Sequence, residues 1–403
     1  EDDFLKKNNF LNWKENIIAL HKTKDGQNSL SKSYKRLAFD EIYANFLVLS
    51  ENRRKIKKKK ENKSFKSVIS NMILKSLPFE LTKSQKNVLN EINLDLKSDT
   101  RMFRVVQGDV GSGKTIVSLL SIANVIESKY QCALMAPTEI LAKQHFDLTK
   151  KIFFNTKIKI EFLTGKTDLK KKGEIIKDLK NGNIDIIIGT HSLFQKKIDF
   201  KNLGLAIIDE QHKFGVKQRS ELAKKGGDNC DVLLMSATPI PRTMMMSLYG
   251  DMDISLIKSK PKNRKEIKSY TKNVSKIDEV IMFVKKEIEN NNQIFWVCPL
   301  IEKSKKLDHQ SSIVRYEYLK KIFKSNVGLL HGSIDKNNKD KILKDFLENK
   351  IKILVSTTVI EVGIDFPNAT CIIIEDSNKF GLSQLHQLRG RVGRGEKQST
   401  CIL

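Results

Sequence analysis

The sequence predicts an α/β protein in which a helical segment precedes two units, each built around a parallel β-sheet. Three observations favour this fold class. From Leu81 onward, short and continuously apolar runs alternate with helical stretches, which is typical of parallel sheets covered on both faces. The alternation stops at a polar stretch, Lys258–Lys265, and then restarts. A glycine-rich loop, Gly108–Thr115, links one apolar run to the helical stretch after it.

Length and composition bound the number of domains and the class of protein. The 403 residues are 39% hydrophobic, and at about 150 residues per domain they fit two or three folded domains. No apolar run approaches the roughly 18 residues of a membrane-spanning helix. The chain starts without Met and stops within a strand-like run, so we interpret it as a fragment.

The cysteines are scattered along the chain and show no C-x-x-C spacing. This favours buried free thiols in a reducing compartment, such as the cytoplasm, over a disulfide or zinc framework. No structural metal is expected. The five residues are Cys132, Cys230, Cys298, Cys371 and Cys401.

The formal net charge is +26, from 73 lysines and arginines against 47 aspartates and glutamates. A polyanionic partner such as nucleic acid would explain this excess. A genome with biased composition would explain it equally well, because most of the basic residues are lysines. The net charge alone leaves both explanations open, and the placement of the few arginines is more informative.

Residues 1–80 are interpreted as a helical linker without catalytic motifs. Apolar residues recur at helical spacing in Asn12–His21, Leu37–Leu49 and Phe65–Leu77. The basic block Arg53–Lys60 either contacts DNA phosphates or forms a solvated helix face or a connector.

Apolar runs predict the strands of both sheets. Those of the first sheet domain, residues 81–257, are Phe103–Gln107, Cys132–Ala136, Ile158–Leu163, Ile184–Gly189, Leu203–Asp209 and Val232–Ser236. Those of the second sheet domain, residues 258–403, are Ile294–Cys298, Val327–His331, Ile353–Ser356, Cys371–Glu375 and Ser399–Leu403. In open sheets of this kind, sites form beyond the carboxyl ends of the strands. The motifs of this sequence lie at those ends.

The stretch Gly108–Thr115 matches the phosphate-binding pattern G-x-x-x-x-G-K-[ST]. Its glycines permit backbone conformations that turn N–H groups toward a polyphosphate, and the next helix directs its positive end at the anion. Lys114 supplies a charge for the β- and γ-phosphates, and the Thr115 hydroxyl is a magnesium ligand. The sequence therefore predicts a nucleotide site; the alternative is a glycine-rich turn between a strand and a helix.

An acidic pair, Asp209 and Glu210, stands at the end of the apolar run Leu203–Asp209. Asp209 is predicted to hold Mg²⁺ through its water shell, and Glu210 to position and deprotonate the attacking water. The alternative is an acidic turn between a strand and a loop.

A further loop, Ser236–Thr243, follows another apolar run and contains two prolines that fix its backbone. Its hydroxyl groups and Arg242 are able to bond with the acidic pair, which would couple the nucleotide state to the second domain. The alternative is an ordinary turn stiffened by proline.

The second domain concentrates arginines in one motif, Gln387–Arg394. Arg389, Arg391 and Arg394 fall within six residues of each other. Arginines that one domain presents to a phosphate held by another are arginine fingers, which are worth about 10³–10⁵ in rate. The alternatives are contacts with nucleic-acid phosphates or a surface cluster.

Together these motifs resemble the superfamily-two helicases, and within them the RecG family of ATP-dependent, branch-migrating DNA translocases. The matching segments cover most of the chain and stand in the family's order. They are Leu81–Gln85, Gly108–Thr115, Ala136–His145, Gly189–Gln195, Asp209–Val216, Ser236–Thr243, Val297–Glu302, Thr357–Pro367 and Phe380–Gly395. Arg36–Phe39 also resembles the helical linker of this family.

The resemblance implies two tandem RecA-like domains with ATP and Mg²⁺ as cofactors. It implies a helicase that remodels stalled forks and Holliday junctions in recombination and repair, with branched double-stranded DNA as the partner. Single-strand DNA-binding protein is implied as a second partner, together with a monomeric state, no membrane, and a bacterial, nucleoid-associated location. The family's wedge would precede Glu1 and its translocation hairpin would follow Leu403, so we expect weak hydrolysis and no unwinding from this fragment.

The resemblance also assigns roles to individual positions. Nucleotide contacts are implied for Gln85, Gly108, Asp109, Val110, Gly111, Ser112, Gly113, Lys114, Thr115 and Asp365, with Gln85 at the adenine. Catalytic roles are implied for Lys114, Asp209, Glu210, Gln387, Arg391 and Arg394, with Mg²⁺ at Thr115 and Asp209. Coupling is implied for His212, Ser236, Thr238 and Arg242. A DNA track is implied along Pro137, Thr138, Glu139, Thr190, His191 and Thr357.

Three other functions stay open on the sequence. The transcription–repair coupling translocase Mfd has a similar motor, although Asp209–His212, Val297–Glu302 and the linker favour RecG. A nucleotide-gated DNA clamp without hydrolysis is disfavoured by the presence of Lys114 and Glu210. A restriction-type motor subunit would lack the segment Phe380–Gly395.

Overall fold

The computed structural model describes residues 2–21, 27–56, 59–195, 197–209, 226–236, 252–258, 265–299, 305–332, 334–357, 366–393 and 397–403. The helical residues up to Lys59 belong to one compact unit, and the residues from Lys60 that build the two sheets belong to a second. None of the helices within these ranges is long and apolar enough to cross a membrane.

The amino-terminal unit consists of helices. They are α1 (Asp2–Lys7), α2 (Trp13–His21) and α3 (Gln27–Ile56). The predicted helices at residues 12–21 and 37–49 are confirmed, and α3 extends the second of them to 30 residues. Within α3, the ion pair Arg36–Asp40 and the stacked rings of Phe39 and Tyr43 each link side chains that lie one turn apart.

A strap, residues 60–66, is held on the first sheet domain by buried charge. The ammonium groups of Lys60 and Lys63 contact the Asp231 carboxylate at 2.8 and 2.7 Å, and all three side chains are fully buried. Asp231 begins a strand and also accepts a 2.7 Å hydrogen bond from the Met102 backbone N–H. Burial lowers the pKa of Lys60, and the Asp231 carboxylate opposes that shift. Lys60, the last residue of the basic block, is therefore structural rather than solvated.

Helix α4 (Val68–Ser76) follows the strap and packs on the same domain. Its Ile73 lies in the hydrophobic core of the first sheet, together with Phe65 of the strap. The strap and α4 therefore pack on the first sheet domain, although they precede residue 81, the start that the sequence predicts.

The first sheet is parallel, with helices that supply its core. Its strands are β1 (Phe103–Gly108), β2 (Gln131–Met135), β3 (Ile160–Leu163), β4 (Ile186–Gly189), β5 (Leu203–Ile208), β6 (Asp231–Ser236) and β7 (Asp253–Ile257). Their order is β3-β4-β2-β5-β6-β1-β7, and β3 through β1 pair in parallel. The accompanying helices are α5 (Lys83–Lys97), α6 (Lys114–Glu127), α7 (Glu139–Ile152) and α8 (Leu169–Asn181).

The second sheet is also parallel. Its strands are β8 (Lys268–Tyr270), β9 (Gln293–Val297), β10 (Val327–Leu330), β11 (Ile353–Ser356), β12 (Ala369–Ile374) and β13 (Thr400–Ile402). Their order is β10-β11-β9-β12-β13-β8, with every neighbouring pair parallel. The accompanying helices are α9 (Ile277–Glu289), α10 (Lys305–Phe323), α11 (Lys336–Leu347) and α12 (Leu382–Arg389).

The predicted fold class, two parallel-sheet units after a helical segment, is confirmed. Each run that the sequence predicts as a strand forms one, with ends that shift by one or two residues. The structure adds β7 and β8, which the apolar pattern of the sequence does not predict. Both are short edge strands, and β8 is exposed along its whole length, so neither carries the apolar signature of a buried parallel strand.

All five cysteines are buried free thiols, as the sequence predicts. Burial raises the pKa of Cys230 to about 12 and that of Cys401 to about 11. Because the thiolate is the reactive form, these cysteines act as core residues at neutral pH.

Replacing Asp231 with asparagine is expected to destabilise the protein by about 3–5 kcal/mol, because two buried ammonium groups lose their compensating carboxylate. Urea unfolding followed by circular dichroism measures this loss. The matched control is Asp178→Asn, since the Asp178 carboxylate pairs with Lys159 at 3.4 Å on the surface, where ion pairs contribute little. Equal unfolding midpoints for the two variants would contradict the structural role of the buried pair.

Candidate nucleotide site

The motifs of the first domain lie side by side at one edge of its sheet. The phosphate loop follows β1, Ser236 ends β6, Asp209 follows β5, and Thr190 follows β4. Strand β2 ends next to β5 and leads through Ala136 into α7. Because these strands are parallel and in register, their carboxyl ends meet on the same side of the sheet.

The phosphate loop depends on glycines in the left-handed conformation. Gly111 has φ 75° and Gly113 has φ 86°. A Cβ on Gly113 would also lie 2.2 Å from the side-chain nitrogen of Gln85. The Ser112 hydroxyl is buried in the loop and has no hydrogen-bond partner among the described residues. A phosphate oxygen would accept the hydrogen bond that this hydroxyl offers, so the loop fits a bound polyphosphate.

Lys114 begins α6 and carries its ammonium group over the loop. Its Nζ donates hydrogen bonds to the carbonyl oxygens of Gly108 at 2.8 Å and Asp109 at 3.0 Å. These two contacts place the ammonium group at the loop, where an anion would bind. Thr115 follows it in the first turn of α6 and is partly exposed.

Gln85 is held at both ends of its side-chain amide. Its Oε1 accepts a 2.8 Å hydrogen bond from the Thr82 backbone N–H in the capping box of α5, and its Nε2 donates to the Ser112 carbonyl at 2.8 Å. The residue is only 2% exposed. These contacts tie the start of α5 to the phosphate loop, and the role of Gln85 toward adenine stays a prediction.

Asp209 is buried and hydrogen-bonded to His145 of α7. His145 Nε2 lies 2.8 Å from Asp209 Oδ2. Because an ionised carboxylate only accepts hydrogen bonds, Nε2 is the donor. A donor of this kind fixes the orientation of a carboxylate, as outer partners do around metal sites.

Helix α12 of the second domain reaches the phosphate loop of the first. His386 Nε2 lies 3.3 Å from Asp109 Oδ1. Gly390, which ends α12, packs so closely on the loop that a Cβ there would lie 3.1 Å from Val110 Cγ2. The two motifs that the sequence places in different domains therefore meet in this structure.

The other predicted residues of this motif surround that contact. Gln387 lies on α12 and is partly buried, while Arg391 directly follows Gly390 and is 3% exposed. The Nη2 atom of the Arg389 guanidinium lies 3.5 Å from His386 Nδ1. The motif is thus adjacent to the phosphate loop, and the catalytic roles of its residues stay predictions.

The residues assigned to a DNA track lie on both domains. Pro137–Glu139 lead into α7, where Thr138 is the N-cap and accepts a hydrogen bond from a backbone N–H. Thr190 and Thr357 follow β4 and β11, and each is 2% exposed, whereas His191 is exposed. The structure therefore brings Pro137–Glu139, Thr190 and His191 to one edge, with Thr357 on the second sheet.

Some predicted residues lie outside the described ranges. They are Glu210, His212, Thr238, Arg242, Asp365 and Arg394. Within those ranges, no three His, Cys, Asp or Glu side chains are grouped as a metal site would require.

Comparisons with known proteins agree with this architecture. The family model of DEAD/DEAH box helicases matches residues 82–247, and that of the helicase conserved C-terminal domain matches residues 273–396. The ATP-dependent DNA helicase RecG of Thermotoga maritima is 45% identical over 406 aligned positions, which cover 99% of this chain and 51% of that protein. This chain belongs to the RecG family. RecG of Bacillus subtilis is 50% identical over 332 positions, covering 82% of this chain and 48% of that protein.

Solved structures extend the likeness to three dimensions. The structure of RecG bound to a three-way DNA junction matches with a TM-score of 0.83 and 40% identity, covering 96% of this chain and 53% of that one. Yeast Dbp5 bound to RNA and ADP BeF3 matches with a TM-score of 0.61 at 19% identity, covering 83% of this chain and 86% of that one, which shows the shared fold alone. The chain spans about half the length of the curated RecG proteins described above.

The sequence motifs do not single out two histidines of the site, His145 and His386. His145 stands seven residues after Thr138, a spacing that returns to the same face of a helix, so its proximity to the strand ends was predictable. His386 directly precedes Gln387 and contacts Asp109, 277 positions away in the sequence. No local sequence pattern predicts that contact.

Proposed function

We propose that this RecG-family chain is an ATP-dependent DNA translocase that remodels branched double-stranded DNA, such as stalled forks and Holliday junctions, in recombination and repair. The contact of α12 with the phosphate loop, through His386–Asp109 and Gly390–Val110, supports this most directly. A nucleotide held by the first domain would be bordered by the second, so its hydrolysis would change how the domains meet. Relatives named as ATP-dependent DNA helicases, and a RecG bound to a three-way DNA junction, support the substrate class.

The proposed nucleotide site uses the phosphate loop and the acidic strand end. Loop N–H groups and Lys114 hold the β- and γ-phosphates, and Thr115 and Asp209 hold Mg²⁺, which supplies charge neutralisation during phosphoryl transfer. Gln85 and Asp365 contact the nucleotide, and Glu210 positions the attacking water. The second domain contributes Gln387, Arg391 and Arg394. Coupling between the domains is assigned to His212, Ser236, Thr238 and Arg242.

The proposed DNA track follows the strand ends of both domains. Hydroxyl groups, backbone amides and helix N-termini bind phosphates without reading base sequence, as a translocase requires. Because the side chains of Thr190 and Thr357 are buried, we assign their DNA contacts to backbone groups. The remaining contacts are assigned to Pro137, Thr138, Glu139 and His191.

The finer setting of the protein is also a proposal. We infer a monomer in the bacterial cytoplasm, associated with the nucleoid, with single-strand DNA-binding protein as a second partner. The five buried free thiols support a reducing compartment.

ATP hydrolysis with different DNA cofactors tests the proposed substrate. For the full-length protein, we expect forked and four-way DNA to stimulate phosphate release more strongly than single strands of equal length, because the proposed track binds a branched duplex. Lys114→Ala protein, prepared in parallel, controls for contaminating hydrolases. Equal stimulation by single strands would refute the branched-DNA assignment.

The Glu210→Gln variant tests the proposed role of Glu210. We expect it to lower the rate of ATP hydrolysis, and a wild-type rate would refute that role.

A further inference from the structure

Helix α7 connects the proposed DNA track to the proposed magnesium carboxylate. The helix starts at Thr138, whose hydroxyl accepts a 3.3 Å hydrogen bond from the Leu141 backbone N–H. Two turns later, His145 Nε2 contacts Asp209 Oδ2 at 2.8 Å. Residues seven apart lie on nearly the same helix face, about 10 Å from each other along the axis. One rigid element therefore carries both contacts.

The His145 contact is held firmly by its surroundings. His145 and Asp209 are both buried. The Thr149 hydroxyl donates a 2.6 Å hydrogen bond to the His145 carbonyl oxygen. The ring of Phe146, the next residue of α7, packs on Phe162 of β3 with centroids 5.2 Å apart. A movement of α7 would therefore move the His145 ring with it, because the side chain is buried and close-packed groups shift together.

The same helix also touches the second domain. Ile140, in the first turn of α7, packs against the hydrophobic core of the second sheet. Leu347 of α11 lies across the same groove as Ile140 and Lys143. Closure of the second domain would thus act on the amino-terminal end of α7, and so would DNA contact at Thr138. His145, two turns further along the helix, contacts Asp209.

We propose that His145 is a positioning residue that couples DNA contact at the start of α7 to the orientation of the Asp209 carboxylate. The inference rests on the proposed function and adds a physical connection between the DNA site and the nucleotide site. His145 donates its Nε2–H to Asp209 Oδ2, and a displacement of α7 changes that hydrogen bond and thereby the direction of the carboxylate. Hydrogen bonds weaken steeply as they bend, so a small displacement is sufficient.

Nucleotide affinity measured with and without DNA tests this coupling without relying on turnover. Two coupled ligands change each other's affinity by the same factor, which for the wild type we expect to lie between about 5 and 150. The probe is a fluorescent, non-hydrolysable ATP analogue with Mg²⁺, titrated in the absence and presence of four-way DNA. For His145→Ala, we expect this factor to approach one, while each ligand alone still binds.

His145→Gln separates positioning from packing. Its side-chain amide carries an N–H at a reach similar to that of Nε2, so we expect it to restore most of the coupling. In hydrolysis, His145→Ala should lower the DNA-stimulated rate by about 10–100-fold, the usual cost of losing an outer partner of a metal ligand, with a smaller effect on the unstimulated rate. Leu148→Ala, on the exposed side of the same helix, is the matched control and should behave as wild type.

The same measurements test the role of His145 and the proposed function separately. If His145→Ala keeps the wild-type coupling factor between DNA and nucleotide, the role of His145 is overturned. The role is also overturned if His145→Gln shows no more coupling than His145→Ala. A wild-type protein in which DNA changes neither hydrolysis nor nucleotide affinity overturns the proposed function itself. Should His145→Ala fail to fold, His145→Asn replaces it, because its shorter amide does not reach Asp209.

Discussion

Replacing Lys114 with alanine is expected to lower ATP turnover by at least about 10²–10³, the usual effect of removing one preorganised donor from a charged transition state. The Lys114 ammonium lies over the phosphate loop, 2.8 Å from the Gly108 carbonyl oxygen and 3.0 Å from that of Asp109. No other lysine or arginine of the motif Gly108–Thr115 replaces it. Phosphate release at saturating branched DNA, with nucleotide affinity measured separately, distinguishes lost binding from lost catalysis.

The controls for Lys114 isolate charge and location. Lys114→Arg keeps the charge but not the compact ammonium, so it should recover only part of the activity. Lys180→Ala removes an exposed lysine in the last turn of α8 and should leave turnover unchanged. Turnover of Lys114→Ala close to that of Lys180→Ala would mean that Gly108–Thr115 is a structural turn and not a nucleotide site.

Buried parallel strands were predictable because their chemistry is unambiguous. Runs such as Ile186–Gly189 and Leu203–Ile208 are buried at every position. Polar residues are therefore absent from both faces of these strands, and the sequence shows a continuous apolar run. The edge strand Lys268–Tyr270 has no such constraint, and only its pairing with Thr400–Ile402 makes it a strand. Local sequence therefore predicts the centre of each sheet better than its edges.

The contacts that complete the candidate site depended on tertiary structure. The phosphate loop was predictable because its glycines and Lys114 act within one short segment. His145 meets Asp209 across 64 positions, and His386 meets Asp109 across 277, so each pair exists only once the strands and helices are packed. A run of charges also does not predict exposure, because Lys60 belongs to a basic block and is nevertheless buried against Asp231.

Replacing Arg391 with alanine is expected to lower ATP turnover by about 10³–10⁵, with a much smaller loss of nucleotide affinity, because an arginine finger acts mainly on the transition state. Arg391 follows Gly390, which packs on Val110 of the phosphate loop, and it is 3% exposed. The contact of Gly390 thus brings the backbone next to Arg391 up to the loop, and we predict that the guanidinium reaches the bound phosphate. Single-turnover hydrolysis, together with binding of a fluorescent ADP, measures the two quantities separately.

Two further variants separate a finger from a packing residue or a DNA contact. Arg391→Lys keeps the charge and most of the volume but loses the planar fork, so a finger should remain strongly impaired while a packing residue should recover. Arg389→Ala removes the neighbouring guanidinium, which lies 3.5 Å from His386, and a smaller loss is expected there. If Arg391→Ala instead weakened DNA binding and left single-turnover hydrolysis intact, the arginine would belong to the nucleic-acid surface. The α12–loop contact would then serve to hold the domains together rather than to complete the catalytic site.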